Sequence, residues 1–288
     1  MKKQFLEKIF VITLTMMIVL TIGTIPTIKD RNVLQTSFEI EDITSMKTSD
    51  IYLLNKDNLL VKAKIINEEK TLHKQIERIV KYLIIDNEEI PKGLKGYLRK
   101  DSKILDINVK NGLLTLNLNS FNEDTISVTG LTYSLLELKG INKVKIMING
   151  NSLKKYDVID KNMGINNEYL FHNRKEINKV VIYYLDNIYN NYYFVPVTKY
   201  LNDDRDKIKI SIEELKHNQE LISKVPEKLE LKNYSEEGNV LFLNFNNKLQ
   251  DLDKEAINEI AYSSFENYDI NMVVFEIDNK KFDYRKRD

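Results

Sequence analysis

The sequence predicts an α+β protein in which a signal or transmembrane helix precedes two similar small domains, each a β-sheet with two helices. Three observations predict this architecture. An uncharged run follows a basic N-terminus, strand-like and helix-like patterns alternate in the order ββαββαβ, and that order occurs twice at a spacing of about 130 residues. Matching turns and strand ends in the same order indicate an internal duplication.

Charge and cysteine content exclude several function classes. The chain has 43 basic and 43 acidic residues, so its formal net charge is zero and it has no excess positive charge to attract nucleic acid. It has no cysteine, which excludes disulfides, thiolate metal sites, a cysteine nucleophile and lipid attachment through cysteine. Its composition, 42% hydrophobic and 30% charged, is ordinary for a folded globular protein.

The N-terminus carries the clearest local signal. The uncharged run Ile9–Ile28 is preceded by three lysines, Lys2, Lys3 and Lys8. A helix of about 20 residues spans roughly 30 Å, the thickness of the hydrocarbon core of a bilayer. The positive-inside rule keeps the lysines in the cytoplasm. The pattern therefore predicts a single-pass cell-membrane protein whose residues after Lys29 are extracytoplasmic.

We assign residues 1–30 to this signal anchor and residues 31–48 to a linker. A cleaved secretion signal is the alternative. The exit sequence TIGTIPTIKD lacks the A-x-A-like pattern that cleavage sites prefer, which favours the uncleaved anchor.

The first domain is assigned to residues 49–157 and the second to residues 179–288, with a linker at residues 158–178. Each opens with two strands rich in aromatic and branched residues, DIYLLNKDNLLVKAKII in the first and VVIYYLDNIYNNYYFVPVTKYL in the second. Polar turns at Lys56–Asn58 and Asn190–Asn191 predict that each pair is a hairpin.

A helix follows each hairpin. In the first domain its apolar stripe consists of Leu72, Ile76, Ile79, Val80 and Leu83. In the second domain the stripe is shorter and is interrupted at Lys216–Asn218; it consists of Ile208, Ile212 and Leu215, followed by Leu221 and Ile222. Proline-containing loops come next, EIPKGLKG and ISKVPEK.

Each domain continues with a second hairpin, a second helix and a last strand. The turns are Asn111–Gly112 in ILDINVKNGLLTLNLN and Gly238 in LELKNYSEEGNVLFLNFN. The helix stripes are Val128, Leu131, Leu135 and Leu138, and Ile257, Ile260, Ala261, Ser264 and Phe265. The last strands are KVKIMINGN and MVVFEIDNK. We expect both helices of a domain to cover one face of its sheet, the same strand order in both domains, and a less regular second domain.

These motifs resemble the sporulation and germination domain of the spore germination protein M family, the GerMN domain. The resemblance rests on the IYLLN opening, the IPKGLKG loop, the KNGLLTLNLNSF hairpin and the endings KIMINGN and FEIDNK, and it covers both repeats. It implies an exported, membrane-anchored protein of endospore formation in Gram-positive bacteria, with a fold similar to the ring-building modules of sporulation assemblies. Family members commonly carry a lipid-attachment cysteine, which this chain lacks, so anchoring falls to the N-terminal helix.

No residue pattern predicts catalysis, a cofactor or a metal site. The three histidines, His73, His172 and His217, share no ligand spacing. No nucleophile elbow occurs, and no glycine-rich loop opens a helix after a strand. Four carboxylate clusters fall at helix starts or in turns, where acidic residues have structural roles: Glu68–Glu69, Glu88–Glu89, Asp203–Asp204–Asp206 and Glu236–Glu237.

One aromatic cluster is the candidate partner-binding site. Tyr189, Tyr192, Tyr193 and Phe194 lie at the turn and return strand of the second opening hairpin. Aromatic side chains are frequent in protein–protein hot spots, but they are also favoured simply as strand residues. Both interpretations stay open at this point.

The predicted function is that of a membrane-anchored, extracytoplasmic sporulation or germination protein that acts by protein–protein assembly and not as an enzyme. Its expected partners are other sporulation envelope proteins or a second copy, and the N-terminal helix anchors it in the membrane. The alternatives are a cell-wall or small-ligand binding module, with peptidoglycan as ligand, and a peptidoglycan hydrolase. An aromatic-lined groove favours the binding module, and two facing carboxylates in a cleft favour the hydrolase.

Overall fold

A computed structural model of the chain describes four stretches, residues 47–167, 178–218, 220–278 and 280–286. The predicted anchor run Ile9–Ile28 lies outside them, as does nearly all of the predicted linker at residues 31–48. Within the described stretches, no helix is long and apolar enough to cross a membrane.

The first repeat consists of six strands and two helices. In chain order these are β1 (Thr48–Leu54), β2 (Leu60–Ile66), α1 (Leu72–Tyr82), β3 (Ile104–Lys110), β4 (Leu113–Leu118), α2 (Thr125–Leu136), β5 (Lys143–Ile148) and β6 (Asn151–Ser152). A short 3-10 turn at Lys161–Met163 follows.

The second repeat has the same sequence of elements. They are β7 (Asn178–Ile188), β8 (Asn191–Leu201), α3 (Lys207–His217), β9 (Leu231–Glu237), β10 (Val240–Phe245), α4 (Lys254–Asn267), β11 (Met272–Ile277) and β12 (Lys280–Arg285), with a 3-10 turn at Asn247–Asp251 before α4. The strand orders β3-β4-β5-β6 and β9-β10-β11-β12 match, and β4–β5 and β10–β11 are the parallel pairs. The prediction of a duplicated α+β unit is confirmed.

Each repeat ends with one strand more than the predicted ββαββαβ order. In the first repeat a turn at Asn149–Gly150, with φ of 48° and 81°, returns the chain as the two-residue strand β6. In the second repeat β12 pairs with β11 along its whole length, and the Phe282 ring stacks on Phe275 at 5.0 Å. The prediction missed β12 because its sequence KKFDYR is rich in charge.

The opening hairpins do not belong to the sheets of their own repeats. They join each other in a third sheet of order β1-β2-β8-β7, so the prediction of one sheet per domain is wrong. The direct joint is the pair Lys62–Phe194. Beside it the Asn166 amide group accepts from the Leu60 N–H at 2.9 Å and donates to the carbonyls of Leu60 and Pro196 at 2.7 and 2.8 Å. A linker side chain thus completes the junction of the two repeats.

Helix starts and ends follow local chemistry. The N-caps of the four α-helices in the described stretches each accept a backbone N–H of the first turn; they are Thr71, Asp124, Asp206 and Asp253. Helix α3 ends at His217 because Asn218 turns to extended backbone and its side chain accepts from the N–H groups of Glu220 and Leu221. Helices α1 and α3 both have 11 residues, so the expected irregularity of the second domain is not found in this helix.

Residues Leu221 and Ile222, predicted as a continuation of the α3 stripe, have another position. Ile222 forms a two-way backbone bridge with Leu185 at the outer edge of β7. In the first repeat Lys95 forms the same bridge with Leu54 at the outer edge of β1. The loop after the first helix of each repeat therefore covers an edge of the shared sheet.

Candidate functional site

The predicted aromatic cluster divides into two half-buried and two exposed members. Phe194 sits at the joint of β2 and β8, and its ring meets Tyr262 edge-on at 4.8 Å. Tyr193 packs against the cores of both repeats, and burial raises the pKa of its hydroxyl. These two residues hold the repeats together, which is a structural role.

Tyr189 and Tyr192 are the exposed members, with 63% and 38% of their surfaces accessible. Each ring carries an ammonium group on one face: Lys92 lies 4.8 Å from the Tyr189 centroid and Lys224 lies 4.2 Å from the Tyr192 centroid. We call Tyr189, Tyr192 and these two lysines the hairpin tip. It lies at the two-residue turn that joins β7 to β8.

Tyr189 has an unusual backbone conformation. Its φ is 50°, and Asn190 follows at 66°. Two-residue hairpin turns need positive φ at both positions and therefore favour Asn, Asp or Gly, whereas a bulky side chain there is strained. The turn therefore holds an exposed tyrosine in a conformation that costs free energy, and this observation makes the Tyr189 ring a candidate contact residue.

The tip rests on the first repeat at Gly93, which belongs to the predicted IPKGLKG loop. A Cβ atom on Gly93 would lie 2.5 Å from Ile188 Cγ2 and 2.8 Å from the Tyr189 ring. The loop approaches closely enough only because residue 93 has no side chain.

Replacing Gly93 with alanine is therefore expected to cost about 2 kcal/mol more than the same change at Gly150. Both glycines have positive φ, 88° and 81°, but a Cβ at Gly150 meets nothing within 4 Å. Urea unfolding gives the free energy of unfolding of each variant. Because both alanines adopt a positive φ, the difference between the two losses is the cost of displacing the tip. Equal losses in the two variants would show that the tip does not pack on this loop.

A buried polar network lies where the repeats meet. It consists of Tyr52, Lys62, Glu137, Lys161, Tyr183 and Glu266. Glu137 accepts a hydrogen bond from the Tyr52 hydroxyl at 3.0 Å and pairs with Lys62 at 3.3 Å and Lys161 at 3.6 Å. Lys161 also pairs with Glu266 at 2.9 Å. Burial alone would raise the pKa of Glu137, but the two ammonium groups outweigh it and hold the pKa at about 2.

Sequence analysis missed this network, although the repeat carries a signal for it. Tyr52 and Tyr183 are equivalent residues 131 positions apart, and their hydroxyls lie 3.4 Å from each other. Glu137 and Glu266 are likewise equivalent. Identical polar residues at the same place in both repeats indicate a contact between equivalent positions of the two repeats.

A second buried carboxylate belongs to Glu259 on α4. It takes the place of Gly130, since Ser263 and Ser134 donate to the carbonyls of Glu259 and Gly130 at 2.7 Å in equivalent bonds. Its Oε2 accepts from the Lys224 backbone N–H at 2.9 Å. Burial raises the pKa of Glu259 to about 8, and that hydrogen bond offsets only part of the effect.

A groove runs between α1 and the outer edge of β3. Its volume is about 610 Å³, and it is lined by His73, Glu77, Val80, Lys81 and Ile84 on the helix side and by residues 102–107 on the strand side. We call it the β3 groove. His73, a candidate ligand by residue type alone, lies with Nε2 3.2 Å from the Ile107 carbonyl oxygen. His217 is the last residue of α3, and His172 lies outside the described residues.

The predicted carboxylate clusters have structural partners or exposed positions. Glu89 pairs with Arg78 at 3.0 Å and Lys81 at 2.7 Å, Asp203 pairs with Arg205 at 2.7 Å, and Asp206 is the N-cap of α3. Glu236–Glu237 ends the exposed edge strand β9, and Glu68–Glu69 precedes α1. In the stretches that the structure describes, no three His, Asp or Glu side chains converge as metal ligands do.

Comparison with known proteins gives consistent results for both repeats. The family profile described as Germane, sporulation and spore germination, matches residues 50–154 and 181–283. The spore germination protein GerM of Bacillus subtilis (strain 168) is 24% identical over 271 residues, which cover 83% of this chain and 74% of that protein. The solved tandem GerMN domains of the sporulation protein GerM from Bacillus subtilis match with a TM-score of 0.73 at 23% identity, over 82% of this chain and 92% of that chain. The fold is that of tandem GerMN domains.

Proposed function

Because the chain belongs to the Germane family of sporulation and spore germination proteins, we propose that it is a membrane-anchored assembly protein of the sporulating-cell envelope. In this proposal the run Ile9–Ile28 is an uncleaved anchor, and the two repeats lie outside the cytoplasm. The protein acts by binding other envelope proteins and performs no catalysis.

The exposed hairpin tip is the observation that carries this proposal. Tyrosine is enriched in hot spots because a rigid amphipathic ring buries a large area with little loss of entropy. Here two such rings stand at one end of the shared sheet, each with a lysine over one face. Tyr189 is held there against the backbone preference of its turn position.

The junction of the repeats supports the same role. The shared sheet, the Asn166 bridge and the buried network fix the two repeats as one body. A binding protein gains affinity when its surface is ordered before it meets its partner. Confinement beside the membrane raises the effective concentration of the tip for a partner in the same layer.

The cell-wall binding alternative predicts an aromatic-lined groove. The residues that line the β3 groove and a second cavity of about 430 Å³, bounded by Asn58, Asp124 and Asn166, include no Phe, Tyr or Trp. Sugar rings stack on such side chains. The exposed tyrosines lie instead at the hairpin tip, outside both cavities.

Replacing both Tyr189 and Tyr192 with alanine is expected to lower the yield of heat-resistant or germinating spores at least tenfold, because truncating hot-spot rings weakens binding to the partner. The assay is complementation in a spore-forming host that lacks the gene. The control is Tyr156→Ala: Tyr156 also has a lysine, Lys155, 5.2 Å from its ring, but it follows β6 of the first repeat and is half-buried against the core.

Two further strains separate assembly from catalysis. An exported form without residues 1–30 is expected to lose function more than alanine replacement of any acidic cluster. If the unanchored form restores spores fully while one carboxylate replacement abolishes them, the assembly proposal is wrong and the hydrolase alternative takes its place. A normal spore yield with the double tyrosine variant would show that the hairpin tip is not the contact surface.

A further inference from the structure

The outer edges of the shared sheet are covered by specific groups. On β1 the Tyr52 N–H donates to the Ser134 hydroxyl at 2.9 Å, and on β7 the Tyr183 N–H donates to the Ser263 hydroxyl at the same distance. The Asn267 side chain pairs with both backbone groups of Val181, at 2.9 and 2.7 Å. Uncovered strand edges recruit other strands, so these two edges are closed to partners.

Strand β3 has an open edge. Its two-residue turn makes Lys110 and Leu113 a hydrogen-bonded pair, and alternate residues then bond towards β4. The backbone groups of Ile107 and Val109 therefore face away from the sheet. Among the described residues, only His73 meets them, at the Ile107 carbonyl. The Ile107 amide and both backbone groups of Val109 have no partner there.

The β3 groove gives this edge a second wall. The inward-facing side of an added strand would lie over α1, where Val80 forms the buried floor, and over Ile84, just after the helix. Its volume of about 610 Å³ is in the usual range of about 300–1,000 Å³ for ligand sites. An edge strand beside a helix is the arrangement that binds extended peptides by strand addition, with backbone bonds along the edge and side-chain pockets between strand and helix.

Charged side chains on the outward face of β3 indicate which residues the bound segment carries. A bulge at Leu105, which is 52% exposed, places Lys103 and Asp106 on the same outward face. Neither residue forms an ion pair within the described part of the chain. Opposite charges on facing positions stabilise adjacent strands. The complementary strand carries an acidic residue beside Lys103, a basic residue beside Asp106 and an apolar residue between them.

The equivalent edge strand of the second repeat, β9, carries different side chains. Tyr234 occupies the position of Ile107 on β9 and packs into the core, with Lys209 of α3 5.6 Å from its ring. The two equivalent edges therefore differ in the side chains that a bound strand would meet.

We propose that the β3 groove binds an extended segment of a partner protein as an added strand, recognised by an acidic–apolar–basic triplet. The inference rests on the proposed assembly function and adds a second contact surface, separate from the hairpin tip. Backbone bonds at Ile107 and Val109 supply the register, and the charges of Lys103 and Asp106 select the sequence.

The test uses the full-length chain in mild detergent and a phage-displayed library of random peptides of about nine residues. Selected peptides are expected to contain the triplet. Val109→Pro removes an outward N–H and should weaken their binding at least tenfold in fluorescence anisotropy. The matched control Glu236→Pro changes the equivalent position of β9, which pairs with Leu241 as Val109 pairs with Leu114, and should leave binding unchanged. Proline on an outer edge is compatible with a sheet.

If Val109→Pro does not fold, the charge-reversed variant Lys103→Glu with Asp106→Lys replaces it and should select peptides with the acid and base exchanged. No binders, binders that ignore both variants, or an edge that instead pairs with a second copy would each overturn the proposal. The spore assay separates it from the proposed function: normal spores with Val109→Pro but not with the tip variant would reject the groove and keep the assembly role.

Discussion

Replacing Glu259 with glutamine is expected to stabilise the protein by up to about 5 kcal/mol above about pH 8 and to change little below about pH 4. Glu259 is 0% exposed, and burial raises its pKa to about 8. The charged groups that face it are Lys224 on its loop and Asp253 at the start of α4. They bind each other at 2.9 Å, so Lys224 offers little net charge to the buried carboxylate.

The sign follows from linkage. In the unfolded chain the carboxyl of Glu259 ionises near its ordinary pKa of about 4.3, whereas in the folded protein it keeps its proton up to about pH 8. Between these values the folded state binds the extra proton, so stability falls as the pH rises and the loss is complete above the folded pKa. Glutamine keeps an acceptor for the Lys224 N–H and cannot ionise.

Urea unfolding of both proteins from about pH 4 to pH 9 measures this difference. The matched control is Glu227→Gln, an exposed glutamate of the same loop, whose curve should follow that of the wild type. Parallel curves for the wild type and Glu259→Gln would show that the buried carboxyl does not hold its proton.

Local signals in the sequence predict most of the elements. Asn111–Gly112 adopts the positive φ angles, 51° and 78°, that a two-residue hairpin turn requires. The stripe of α1 is buried at Ile76, Ile79 and Val80. The resemblance to the spore germination protein M family is confirmed by the family match. These features depend on neighbouring residues, which is why periodicity and turn chemistry suffice.

The joining of the hairpins could not be predicted in this way. Lys62 and Phe194 are 132 positions apart, and nothing in either strand distinguishes a partner in the same repeat from one in the other. Helix α2 shows the same limit. Its predicted stripe is buried, but so are Ser127, Thr129 and Thr132 on its other faces, because the helix lies between the shared sheet and its own.

The candidate site was predicted only in part. The sequence groups Tyr189, Tyr192, Tyr193 and Phe194 as one cluster, whereas the last two are half-buried at the junction of the repeats. Whether these rings bind a partner stays a prediction. The β3 groove has no sequence motif, since it depends on where α1 lies against the open side of β3.

Replacing Glu137 with glutamine is expected to destabilise the protein by about 3 kcal/mol at neutral pH and to have almost no effect near pH 2. The carboxylate is only 18% exposed and binds Lys62, Lys161 and the Tyr52 hydroxyl. The folded pKa of about 2 lies below the unfolded value of about 4.3. The contribution of Glu137 is therefore fully present above that unfolded value and is lost as the pH falls through the folded one.

Glutamine keeps the shape of the side chain but leaves Lys62 with Asp50 and Lys161 with Glu266 as remaining partners, at 3.1 and 2.9 Å. The control Asp251→Asn removes an exposed pair with Lys248 and should change the unfolding free energy by less than about 0.5 kcal/mol. Because the network joins the repeats, the loss should also separate their unfolding: wild type unfolds in one transition, and Glu137→Gln broadens it or divides it into two. An unchanged single transition with the same free energy at pH 7 would mean that the shared sheet alone couples the repeats.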